Sequence, residues 1–334
     1  MERNILLTVL VPVYNTEQYL DKCLGSLVVS GELMELLEVL VVIDGSKDNS
    51  IEIARKYEKK YPNTFRVIDK ENGGHGSCCN VGVSEAKGKY IHFLDSDDWF
   101  DEQFSSYLLR LKEERADVVF TKSIQERIFE NSSFLHYFQD IKYDKNYKLE
   151  TLRNVVFSFS IHEVSYSVDL FRRYNVRFRE KVYYDDVLLS VAGLLGTETF
   201  AFYDMKLYHY LLGRPGQTMD PILYSKHFKY RCYSVYDCID LYNNTKNSLN
   251  AISKDLIIRN LGWHLERLYV SAWKQKRDLA KEEISFLNEM FRKHIENNRI
   301  KKTYLMLIAL YLPFSCGYFL MNKVIPSFIN KYGK

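Results

Sequence analysis

Along the first 120 residues, short apolar runs alternate with longer segments of helical spacing. Residues 6–13 (LLTVLVPV), 37–43 (LEVLVVI), 65–68 and 90–94 read as buried β-strands, and 117–121 (DVVFT) as a fifth. Between them, residues 17–28, 49–61, 77–86 and 103–114 set apolar side chains three and four apart, with polar residues on the other face. This alternation predicts βαβ units and a mostly parallel sheet flanked by helices, an α/β fold. In such open sheets, ligands bind beyond the carboxyl ends of the strands. The tripeptides Tyr14-Asn15-Thr16, Asp44-Gly45-Ser46 and Asp95-Ser96-Asp97 fall there.

The pattern then changes. Residues 124–149 are irregular and rich in Tyr, Phe and Lys, and read as an insert or a connecting helix with loops that carries no chemistry. Residues 152–212 again mix helix and strand. Arg214-Pro215-Gly216 punctuates the chain before helical patterns from about 224 to 298. The expected division is 1–220 as the α/β domain, 221–298 as a helical domain and 299–334 as a basic, apolar terminal segment. There is no internal repeat or low-complexity tract.

Composition narrows the class. The chain has 334 residues, 46% of them hydrophobic and 27% charged, which excludes a disordered, collagen-like or disulfide-stapled chain. A net charge of +3 does not call for a nucleic-acid partner. The six cysteines contain no C-x-x-C pair and no secretory signal precedes the first strand, so a reducing cytoplasm is expected. Nothing acidic follows Glu296, and residues 303–322 form an uncharged 20-residue run flanked by Arg299, Lys301, Lys302 and Lys323. That length suffices for a span, but Pro313, Ser315 and Gly317 within it and positive charge on both sides equally suit a bent, interfacial or re-entrant hairpin; a buried helical pair packed on the α/β domain is the alternative, and the basic flanks favour attachment to anionic lipid headgroups over it. The expectation is a peripheral protein on the inner face of the cell membrane.

The most informative stretch is FLDSDDW, residues 93–99, where an apolar strand runs into Asp95, Asp97 and Asp98. Three adjacent carboxylates repel one another unless a cation joins them, and oxygen ligands suit Mg²⁺ or Mn²⁺. Alone, this motif reads equally as a loop capping the next helix. Asp44 to Ser50 could likewise be a turn and an N-cap, and Val11 to Asn15 a plain strand end. Three such motifs at successive strand ends are much harder to explain that way.

With VPVYN (11–15), DGSKDNS (44–50), ENGGHGSCCNVG (71–82), AKGKYIHFLDSDDW (86–99), YYDDVLL (183–189) and GRPGQT (213–218), the chain resembles the inverting glycosyltransferase family 2, of the GT-A fold, over residues 7–217. The resemblance implies a donor site built from Pro12, Tyr14, Asn15, Asp44, Gly74, His75, Asn80, Asp95, Ser96, Arg214 and Gln217. In it Tyr14 and Asp44 hold a pyrimidine base, Asp95 and Asp97 bind ribose and a metal-bound diphosphate, and Arg214 and Gln217 face the leaving group. It implies Asp186 as the base that deprotonates the acceptor hydroxyl, with Asp185 its neighbour. Two positions depart from the family pattern. Ile43 replaces a common Asp, and Cys79 replaces an Arg that usually contacts diphosphate. His75 either supplies the missing contact or orders the Gly-rich loop by hydrogen bonding.

The implied activity is metal-dependent transfer, with Mn²⁺ or Mg²⁺, of a sugar from a UDP-sugar or dTDP-sugar to a glycan hydroxyl. By family analogy the acceptor is lipid-linked and serves capsule, exopolysaccharide or cell-wall polymer synthesis; a homo-oligomer is compatible with this. Two rival readings are a sugar-phosphate nucleotidyltransferase and a catalytically weak, membrane-associated partner of another transferase. The first needs a Gly-rich basic loop after strand one, which Tyr14-Asn15-Thr16-Glu17 is not; the second would have lost Asp95, Asp97 or Asp186, and all are present.

Overall fold

The structure, a computed structural model, describes residues 3–152, 161–214, 217 and 221–273, together with 282–283, 285–287 and 289–290. The terminal run at 303–322 lies outside the described residues, as do Pro215, Gly216 and Thr218 of the GRPGQT motif. Among the described residues, no helix is long and apolar enough to cross a membrane.

Strands β1 (Leu7–Val13), β2 (Leu37–Asp44), β3 (Phe65–Lys70) and β4 (Tyr90–Phe93) form a parallel unit in the order β3-β2-β1-β4. Helices α1 (Glu17–Gly25), α3 (Ser50–Lys60) and α4 (His75–Glu85) provide the crossovers, with a short α2 (Gly31–Met34) before β2. The chain moves outward from β1 to β2 and β3, then returns to place β4 on the other side of β1. This reversal opens a crevice between the ends of β1 and β4.

Beyond β4 the sheet becomes mixed. It continues through β9 (Val164–Ser167), β6 (Val118–Arg127) and β10 (Thr199–Leu212) to β5 (Trp99–Phe100) at the edge. The segment at 124–149 is not a connecting helix. Strand β6 runs on through Arg127 and turns back as β7 (Ser132–His136), and β8 (Lys145–Lys148) pairs antiparallel with β10. Its side chains are largely exposed, so no two-residue alternation of burial marks them as strands.

Period-two alternation divides the core between the sheet's two faces. Val9 and Val11 of β1 and Val39 and Val41 of β2 join Leu20 and Leu24 of α1 and Leu108 of α5 (Phe104–Glu113). Leu10, Leu40 and Val42 face the other way, into a cluster reaching Leu188 of α7 (Val187–Ala192), Cys238 of α9 (Phe228–Thr245) and Leu261 of α10 (Ala251–Trp273). The five described cysteines are buried and unbridged. Burial of this size fixes the strands' register, and thereby which residues emerge at their carboxyl ends.

Candidate active site

Three strand ends meet at the β1/β4 crevice. Tyr14, at the end of β1, is 52% exposed, unusual for a large aromatic beside a buried strand and suited to offering a ring face to a planar ligand. Asn15 follows with φ +52°, a left-handed conformation that Asn tolerates. Its Oδ1 accepts the Lys47 amide at 2.8 Å, and its own amide donates to Ser46 Oγ at 3.1 Å, tying the β1 and β2 exits together. Thr16 Oγ1 donates to Ser96 Oγ at 3.0 Å, which joins the β4 exit to the same knot. Pro12 stays within β1, opposite Val42.

Asp44 closes β2 and is buried. Its carboxylate accepts the Gly73 and Gly74 amides, each at 2.8 Å, and Lys70 Nζ at 2.6 Å. It therefore organises the Gly-rich loop. Gly74 has φ +84°, and a Cβ there would lie 3.0 Å from the Lys181 amide nitrogen, so the loop needs glycine on two counts. Asn80 on α4 gives both ends of its amide to Phe178, donating to the carbonyl at 2.9 Å and accepting the N–H at 2.8 Å. Its side chain thus holds the 178–186 segment in place.

The carboxylates after β4 are each in a different setting. Asp97, 8% exposed, is ion-paired with Arg214 Nε. Asp98 is buried and accepts Tyr208 Oη at 2.6 Å and the Leu211 amide at 2.8 Å. Asp95 is the most open of the three, with His75 Nε2 at 3.6 Å and His162 Nε2 at 3.9 Å. Burial and the charge of Asp95 push the Asp97 carboxyl up despite Arg214. Burial, Asp97 and Asp95 push Asp98 well above its ordinary value. For Asp95, burial acts upward but His75, His162 and Arg214 hold it below the usual range. The cluster is short of positive charge. Ligand atoms of Asp95, Asp98 and His162 lie within 4.8 Å of one another, an oxygen-rich donor set that fits a hard divalent cation.

His75 links this cluster to the acidic pair. Its Nδ1 lies 3.0 Å from both oxygens of Asp185, while Nε2 faces Asp95. Burial is the largest influence and lowers its basicity, but Asp185, Cys79 and Asp95 together outweigh it, and the imidazole's pKa rises well above its ordinary value. Cys79 Sγ lies 3.6 Å from the same ring, and burial raises its thiol to about 11, so it brings no cation to the site. Asp186, half-buried, starts α7 without a side-chain capping bond to that helix. Burial, then the charge of Asp185, lifts its carboxyl to about 6.

The structure thus makes three polar groupings of the expected site residues: Asp44 with Gly74, His75 with Asp95 and Asp185, and Asp97 with Arg214, while Asn15 and Ser96 belong to the knot that follows Tyr14. Asn80 and Gln217 support backbone instead: Gln217 Nε2 donates to Leu211 O at 2.7 Å and its Oε1 accepts the Gly213 amide at 3.0 Å. Sequence reading missed His162, Lys70 and the Asp98–Tyr208 bond. His162 stacks on Tyr210 with ring centroids 4.0 Å apart and enters the site from a segment without recognisable pattern. Tyr208-His209-Tyr210 is both packing and site: His209 lies between Asp101 and Glu126, outside the carboxylate cluster.

Known proteins resemble the chain in sequence and in fold. Glycosyltransferase GlyA of Streptococcus pneumoniae is 28% identical over 204 residues, covering 60% of this chain and 29% of that protein. The poly(ribitol-phosphate) beta-glucosyltransferase of Bacillus spizizenii is 38% identical over 122 residues, covering 35% of this chain and 19% of that protein. The matched region spans less than a third of the length of either relative. Among solved structures, residues 1–349 of Staphylococcus aureus TarS in complex with UDP-GlcNAc superpose with a TM-score of 0.56 at 19% identity, covering 90% of this chain and 91% of that one. A mannosyltransferase of Pyrobaculum calidifontis with GDP-Man and Mn²⁺ gives 0.53 at 13% identity, covering 99% and 88%. These likenesses establish the GT-A fold. The family profile "Glycosyl transferase family 2" matches residues 8–177, from β1 past the carboxylate cluster, and the chain belongs to that family.

Proposed function

We propose that the protein is an inverting, metal-dependent glycosyltransferase that moves a sugar from a UDP-sugar or dTDP-sugar to a hydroxyl of a glycan acceptor in bacterial surface-polymer synthesis. The observation that carries this reading is Asp186: a half-buried carboxylate at the crevice that caps no helix, raised to about 6 by burial and by Asp185. A base of that strength is ionised at neutral pH yet basic enough to take a proton from a hydroxyl as it attacks. The UDP-GlcNAc bound to TarS and the GDP-Man and Mn²⁺ bound to the mannosyltransferase support a nucleotide-sugar donor and a divalent ion. The basic flanks of residues 303–322 favour an acceptor presented at an anionic membrane surface.

In this reading Tyr14 and Asp44 receive the base of the donor. Asp95, Asp98 and His162 would hold the ion, with Asp97 beside them on Arg214; when bound, it supplies positive charge to the diphosphate leaving group. Arg214, already aimed at this point by Asp97, adds a second charge. His75 fixes Asp185 through a charge-assisted contact, and so fixes the start of α7 that presents Asp186. Asp186 accepts the proton of the acceptor hydroxyl as its oxygen attacks the anomeric carbon. The test is NMR of the product's anomeric centre after turnover of a panel of UDP- and dTDP-sugars with Mn²⁺ or Mg²⁺. Inversion is expected, and a retained configuration overturns the single-displacement mechanism.

A further inference from the structure

His75, Cys79 and Asp185 converge beside the oxygen-rich carboxylate cluster but differ from it in chemistry. His75 and Cys79 are four residues apart at the start of α4, so their side chains leave one face of that helix. Asp185 meets them from the segment before α7. His75 Nδ1 lies 3.0 Å from each Asp185 oxygen and 3.6 Å from Cys79 Sγ, and one ligand atom from each of the three residues falls within 4.8 Å of the other two. Around a tetrahedral zinc ion, with bonds of about 2.0–2.3 Å, sulfur and nitrogen stand about 3.5 Å apart and nitrogen and oxygen about 3.4 Å. The donors already have nearly that spacing, and only the His75–Asp185 contact has to open slightly.

The surroundings also suit a bound ion. His75 Nε2, the nitrogen turned away from the trio, faces Asp95 Oδ1 at 3.6 Å. A histidine that binds metal through one ring nitrogen commonly directs the other N–H at a carboxylate. Among the described residues, the His75 ring is the only hydrogen-bond partner of Cys79 Sγ, whereas the neighbouring Cys78 Sγ turns to the Val42 carbonyl at 4.0 Å. Cys79 and Asp185 are buried, but His75 and Asp95 are only half-buried, which leaves an ion a way in from the crevice. Thiolate sulfur with imidazole nitrogen and one carboxylate suits Zn²⁺, whereas an oxygen-rich set suits Mg²⁺ or Mn²⁺. We propose that His75, Cys79 and Asp185 form a zinc site, distinct in its ligands from the divalent-ion site of Asp95, Asp98 and His162. On binding, the ion replaces the Cys79 thiol proton and any proton held at His75 Nδ1, and these pass to solvent. Zinc also parts His75 from Asp185. Resting on the transferase reading above, this makes zinc an inhibitor, because that contact fixes the start of α7.

Titration of Co²⁺ into the reduced, metal-free full chain tests the site, with Mg²⁺ in excess to fill the oxygen-rich one. One equivalent is expected to give a near-ultraviolet thiolate-to-cobalt charge-transfer band and the strong visible bands of a four-coordinate ion, all bleached by one equivalent of Zn²⁺. Cys79→Ser, with its fold checked by far-UV circular dichroism, is expected to lose the charge-transfer band and at least ~10-fold in zinc affinity, read by competition with a chromophoric chelator. Should that variant fail to fold, His75→Gln replaces it, with the same expected loss of affinity. Absence of the charge-transfer band in wild type, an undiminished band in Cys79→Ser, or wild-type zinc affinity in the variant overturns the site. With whichever nucleotide sugar the chain turns over at saturating Mn²⁺, one equivalent of zinc is expected to slow nucleotide release at least ~10-fold in wild type and not in Cys79→Ser. The cobalt bands without slowed release uphold the site and overturn the inhibition. The cobalt bands in a chain that turns over no nucleotide sugar uphold the site and overturn the transferase reading.

Discussion

Replacing Asp186 by Asn separates the cost of the base to the fold from its value to the reaction. Burial and Asp185 raise its carboxyl from 3.8 to about 6, which disfavours the ionised form by about 3 kcal/mol relative to an exposed aspartate. Between those two values the folded chain holds a proton that the unfolded chain has lost, so this group's contribution to stability falls as pH rises through the interval. Asn carries no charge but must still be desolvated. Asp186→Asn should therefore be more stable than wild type by about 1–2 kcal/mol near neutral pH. The difference should vanish below about pH 4, where both forms of wild type are protonated. The transfer rate should fall by about 10²–10⁴-fold, the usual value of a positioned base. In wild type, the rate should drop about tenfold per pH unit below about pH 6. Urea unfolding at several pH values and nucleotide release coupled to acceptor turnover measure the two sides. A variant within tenfold of the wild-type rate, or one less stable than wild type at neutral pH, would refute the assignment.

Asn80→Ala leaves both polar groups of the Phe178 backbone without their partners and should destabilise the chain by about 2–4 kcal/mol in urea unfolding. Gly76→Ala places a Cβ 2.3 Å from the Arg179 carbonyl and 2.9 Å from Asp185 Oδ2; transfer should fall by about 10²-fold or more while far-UV circular dichroism retains its shape. Arg214→Ala leaves Asp97 buried without its cation and should cost about 3–5 kcal/mol in metal-free thermal unfolding, of which Asp97→Asn in the same chain should recover a large part.

Much of the fold is determined by local pattern. The apolar runs at 6–13 and 37–43 can satisfy their backbone and bury both faces only as central parallel strands, so their places, and the polar residues just past them, follow from the sequence. Tyr14, Asp44 and Asp95 were legible for that reason. The hairpin and edge strands within 124–149 were not, because half-exposed strands carry mixed residues and are held by pairing with distant partners. Which carboxylate does what was equally a tertiary matter. In DSDD, Asp98 is taken by Tyr208, 110 residues away, and Asp97 by Arg214, 117 residues away, leaving Asp95 open to two histidines. The same holds for Asp185 and Asp186: adjacent and chemically identical in the sequence, they diverge because His75 engages one and burial without a partner raises the other. Residue type and spacing supply the groups a site can use, but charge and proton affinity depend on neighbours within a few ångströms, and those neighbours are brought together only when the sheet closes.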